Sequence, residues 1–167
     1  MASSGLGVSS IANSDLSTQK LRAEQVVKSG AGWFIWIAAL SVVNSVVGWV
    51  GGGVHFIVGL GVTQVVDVLA KQQGSSGLLL EIIINGFVVG IFALFWNFAG
   101  KGQSWAFILG MSLYAIDGLL LLFFRDIFSV AFHGYALYRI YQGMSAVPVL
   151  HRLEAALAPA GAPIVPR

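Results

Sequence analysis

Between Ser29 and Val66 the chain runs for 38 residues without an Asp, Glu, Lys or Arg, and a second such run covers 19 residues from Ile82 to Gly100. A helix needs about 20 mainly apolar residues to cross the hydrocarbon of a bilayer, so the first run has room for two crossings and the second for one. Few folds tolerate this pattern. Charged residues are 10% of the 167-residue chain and hydrophobic residues 57%, with a mean hydropathy of +0.84. A water-facing surface typically needs about 25% charged residues. A membrane β-barrel would alternate polar and apolar positions, and segments such as Gly118 to Phe124 (GLLLLFF) do not. The pattern predicts an all-α membrane protein, a compact bundle of four to five transmembrane helices.

Read in order, residues 1–29 form a Ser/Gly-rich lead, disordered to Ser14 and then amphipathic from Asp15 to Ser29, able to lie on a membrane surface. Residues 30–147 form the bundle, with spans expected at about 32–50, 54–70, 78–99, 104–124 and 127–147. Residues 148–167 form a Pro/Ala-rich tail containing all four prolines, with room for a short helix around Leu150 to Ala158. Gly51 to Gly53, Gly74 to Gly77 and Gly100 to Gly102 supply turns, and Asp126 is placed to cap the fifth helix.

Small or weakly polar residues mark two expected packing faces. Ser41, Asn44, Ser45 and Gly48 recur at helical spacing in the first span, and Gly86, Gly90, Ala93 and Asn97 do so in the third. Spans two and four share Phe56-Ile57-Val58-Gly59 and Phe107-Ile108-Leu109-Gly110, followed by Asp67 and Asp117. This suggests two repeated helical hairpins plus a fifth helix. Likeness of composition is the competing explanation, because the first and third spans align poorly.

Asp117 is the carboxylate deepest in an apolar run. An isolated charge there costs about 2.5–3.5 kcal/mol on the insertion scale, so it requires a partner or a water-lined cavity. Tyr114 and Arg125 share its helical face, and Asn44, Gln64, His133 and Arg139 are further possible partners. Asp67 is the matching acid on the second span, one turn from Lys71. Two readings stand: a proton- or cation-binding site, or a buried polar clasp that holds helix register. His133 itself, beside Ala136, Leu137 and Ile140, reads as a packing histidine.

Several chemistries find no support. The chain has no Cys, its three histidines lack metal-ligand spacing, and no nucleophile elbow or phosphate-binding loop is present. No catalytic residue, metal or cofactor is expected. The nine Lys and Arg lie between apolar runs and read as topology determinants, with no basic stripe for nucleic acid. Lys20, Arg22 and Lys28 predict a cytoplasmic N-terminus. Five crossings would divide the Lys and Arg five inside to four outside; a fifth helix lying along the inner face would divide them eight to one. The length of the fifth segment favours five crossings.

The elements GWFIWIAALSVVNS, FIVGLGVTQ, KGQSWAFILGMSLYAIDGLL and FHGYALYRIYQG, between Gly32 and Gly143, resemble a group of small bacterial integral membrane proteins. The resemblance implies a bacterial inner membrane and no assigned activity. The resulting expectation is a non-enzymatic accessory or structural subunit in the lipid bilayer, packed against other membrane subunits or a second copy. The alternative is a small proton- or cation-coupled permease using Asp117 and Asp67.

Overall fold

The computed structural model describes residues 4–49, 60–62, 66, 75–123 and 125–158. Four helices account for nearly all of them: α1 (Ser4–Trp49), α2 (Ser75–Gly100), α3 (Ser104–Phe123) and α4 (Ile127–Leu157). By length and composition three are apolar enough to cross a membrane: α1 within Asn13–Val47, α2 within Ile82–Gly100, and α3. No strand occurs among the described residues.

The helices run alternately up and down. Phe34 of α1 meets Phe92 and Phe95 of α2, Gly100 comes close to Ala31, and Asn85 donates to the Ser45 hydroxyl at 2.9 Å. Rising numbers in α1 therefore meet falling numbers in α2, and the two are antiparallel. Likewise α3 runs antiparallel to α4, with Phe107 beside Gly143 and Tyr114 stacked on His133. One end of the bundle, here called proximal, holds Gly30, the turn at Gly102 and Leu150. The distal end holds Ser45, Asn85 and Asp126.

The end of α1 and the start of α2 both lie at the distal end. The crossing expected over 54–70 falls almost wholly outside the described residues, as do Gln64, Asp67 and the copy of the expected repeat on the second span. Leu60, Gly61 and Val62 are described, and they sit inside the bundle beside Ser41 and Asp117.

Two helices are longer than expected. α1 continues from Ser4 without a break between the amphipathic lead and the apolar run, and its 46 residues extend roughly 70 Å. Nothing in Asp15 to Ser29 stops a helix, and Ala23 and Val27 are buried. Beside them Glu24 bridges Lys20 and Lys28 at 3.4 and 3.6 Å. α4 runs through Pro148 to Leu157 instead of ending at Val147. Proline removes one helical donor, but Val147 and Leu150 on either side are buried and pin the helix in place.

An aromatic cluster sits at the centre of an otherwise aliphatic, alanine-rich core. Phe34 packs against Phe92, Phe95 and Phe107 with ring centroids 5.8–6.1 Å apart, a range suited to tilted and edge contacts. Close approach of helices depends on glycine at two points. A Cβ on Gly30 would lie 2.5 Å from the Gly143 Cα, and one on Gly110 would lie 2.5 Å from the Phe34 ring. The outer surface is as apolar as the interior: Phe87, Ile116, Leu119, Phe123 and Phe128 are all more than half exposed.

Candidate functional site

The polar constellation in the bundle grows from three local features. The first is the α3–α4 hairpin. The chain turns at Arg125, a non-glycine residue at φ 60, and Asp126 then caps α4 by accepting from the Ser129 N–H at 3.1 Å and from the Ser129 hydroxyl. A tight hairpin brings residues equidistant from its turn to one height. Asp117 lies eight residues before Arg125 and His133 eight after, and His133 Nε2 is 2.9 Å from Asp117 Oδ2. Gly118 leaves room for this approach, since a Cβ there would lie 3.3 Å from the imidazole.

The second feature is the segment entering the bundle at Leu60. Its N–H donates to the Ser41 hydroxyl at 3.0 Å, while that hydroxyl donates to the Ile37 carbonyl at 2.9 Å. Gly61 and Val62 are helical, and N–H groups at a helix start have no partner from the preceding turn. Asp117 supplies one to each: Gly61 N donates to Oδ2 at 2.7 Å and Val62 N to Oδ1 at 2.8 Å. A carboxylate suits the positive end of those peptide dipoles. Gly61 is also sterically required, because a Cβ would fall 2.8 Å from the Leu121 side chain.

The third is the imidazole itself. His133 Nδ1 lies 2.8 Å from the Ser129 carbonyl oxygen, so both ring nitrogens face oxygen acceptors. The Ser129 carbonyl makes Nδ1 a donor, and the Nε2–Oδ2 contact is a hydrogen bond with one proton shared between imidazole and carboxylate. Tyr114 stacks over the ring with centroids 4.1 Å apart and planes 14° from parallel. Asp117 and His133 are 7% and 2% exposed, which places this acid–imidazole pair in a nearly dry interior. Such a pair persists when its remaining hydrogen-bonding positions are filled, as they are here.

Of the residues singled out from sequence, Asp117 and Tyr114 meet in this site, and Asn44 is buried nearby on α1. Arg125 is exposed at the turn and takes no part. Ser41 and Ser45 do face other parts of the bundle, their hydroxyls accepting from the Leu60 N–H and from the Asn85 amide. Gly48 belongs to α1 close to its end. Gly86 and Gly90 point outward, with no atom within 4 Å of a Cβ on either, and Ala93 is half-buried. The packing face expected of the third span is thus not used between the described helices. No group of three or more potential metal ligands occurs among the described residues.

From sequence, His133 is one possible partner among six. Its distance from the turn, matching that of Asp117, is the signal that singles it out. The Gly61 and Val62 donors carry no sequence signal, since every non-proline residue has an N–H. A shallow apolar groove of about 600 Å³ between α2 and α3, lined by Val88, Phe92, Leu113 and Ile116, reaches Asp117 and Val62. Comparisons with protein-family models, curated proteins and solved structures find no match.

Proposed function

We propose that this chain is an integral membrane protein acting as an accessory or structural subunit, packed against a partner membrane complex or a second copy of itself. One observation carries the reading: both oxygens of Asp117 are engaged by the protein's own donors, Gly61, Val62 and His133. A transport site must surrender its acceptors to an ion, whereas this carboxylate ties an incoming segment to a helical hairpin. It is a clasp. The outer face of α2 supports the packing role, because Gly86 and Gly90 lie open beside exposed Ile83 and Phe87 and admit a neighbouring helix backbone. Gentle detergent extraction followed by mass measurement tests this; a solitary monomer under all conditions overturns it.

The described helices alternate in direction, with Lys20, Arg22, Lys28, Lys101 and Arg152 toward the proximal end and Arg125 at the distal turn. That asymmetry favours a proximal, N-terminal side facing the cytoplasm of a cell inner membrane. A second reading, a small proton- or cation-coupled permease, has one observation in its favour. Asp117, in hydrogen-bond contact with His133, lines the groove between α2 and α3. Liposomes loaded with a pH-sensitive dye test it. Flux unchanged by Asp117→Asn removes Asp117 from any such mechanism.

A further inference from the structure

A second polar site lies at the proximal end, away from Asp117. Where α1 crosses α4 at Gly30 and Gly143, a cleft of about 370 Å³ opens along the side of the contact. Arg22 of α1 and Arg139 of α4 line it, together with Gln25, Ser29 and Gln142. Neither arginine has a carboxylate within ion-pair distance among the described residues. The nearest acid on this part of α1, Glu24, is held between Lys20 and Lys28. Two guanidinium groups, amide donors and a hydroxyl thus converge on one cleft with no anion of the protein's own.

The height of the cleft identifies its ligand. Trp36, Tyr135, Tyr138 and Tyr141 are all at least half exposed, spread over the two turns of α1 and α4 on the distal side of the Gly30–Gly143 contact, and Trp33 meets Tyr135 edge-on at 5.4 Å. Exposed indoles and phenols gather at the headgroup level of a bilayer. The charge-free run of α1 begins at Ser29, at this same height. Arginine forks match phosphate oxygens in paired hydrogen bonds, and basic pockets between membrane helices on the cytoplasmic side take anionic lipid headgroups.

We infer that the Arg22–Arg139 cleft binds the phosphodiester headgroup of an anionic phospholipid. The inference rests on the membrane reading above. The test uses the full-length chain in vesicles of phosphatidylglycerol with phosphatidylcholine. Flotation first reports insertion; mass spectrometry of the protein released in mild detergent then reports the lipid it retains. Wild type retains phosphatidylglycerol over phosphatidylcholine, and Arg22→Gln and Arg139→Gln each lower that retention about fivefold. Arg→Lys at both positions restores part of it, because charge is kept while the planar fork is lost. Equal retention of the two lipids, or full retention by the double Gln variant, overturns the inference while leaving membrane insertion standing. Displacement of the lipid by millimolar inorganic phosphate overturns the lipid assignment in favour of a free-phosphate site. Failure to float overturns the membrane reading and the inference with it.

Discussion

Removing the charge of Asp117 while keeping its shape separates a clasp from a bystander. In Asp117→Asn the side-chain oxygen can still accept, but the amide nitrogen must face the Gly61 N–H or the Val62 N–H, both of them donors. At least one buried donor loses its partner, at about 1–3 kcal/mol. His133 also loses the carboxylate it is bonded to, and breaking a buried pair from one side costs about 3–5 kcal/mol. These two effects overlap, so a total loss of about 3–5 kcal/mol is expected, a large fraction of the stability of a domain this size. His133→Gln removes the imidazole but leaves a side-chain amide able to donate, so its cost is smaller, about 2–3 kcal/mol. The double variant replaces the acid–imidazole pair with two amides that can bond to each other. Its cost falls short of the sum of the two single costs by about 1–3 kcal/mol. Unfolding in mixed micelles, followed by circular dichroism, measures all four corners of the cycle. Costs that add to within about 0.5 kcal/mol would show that the two residues do not act as a pair, and the clasp would be refuted.

Further expectations concern the frame around the clasp. Two glycines of α4 should respond to alanine with opposite signs: Gly134→Ala, with open space around it, stabilises by up to about 1 kcal/mol, whereas Gly143→Ala, which would strike the Gly30 backbone, destabilises by about 2 kcal/mol or more. Thermal unfolding of the two variants side by side decides this, and a shared sign would mean that α1 and α4 do not touch there. At the α4 cap, Asp126→Ala costs about 1 kcal/mol and Asp126→Asn much less, because asparagine caps nearly as well; chemical denaturation distinguishes them. Ser41→Ala leaves the buried Leu60 N–H without its acceptor and costs about 1–3 kcal/mol. Faster amide exchange at Leu60 than at Val27 should accompany that loss, and unchanged exchange would argue against the contact.

Sequence alone determined which stretches are apolar enough for a bilayer, because absence of charge over some 20 residues is a one-dimensional property. It also determined the Asp126 cap, which depends on residues three apart, and the need of Asp117 for a partner, which follows from the cost of an unpaired charge in an apolar run. The partner itself was only half legible. Arg125 shares a helical face with Asp117, but it sits at the α3–α4 turn, and His133 reaches Asp117 because the chain folds back there. The relative direction of the helices was decided in three dimensions: the contacts Phe34–Phe92 and Ser45–Asn85 make α1 and α2 antiparallel. The same is true of the packing faces. A small-residue face is turned inward on α1 and outward on α2, because which face a helix buries depends on what stands beside it. Leu60, Gly61 and Val62 bond to side chains 19 to 56 residues away through their backbone N–H groups, and a backbone donor leaves no trace in the identity of its residue.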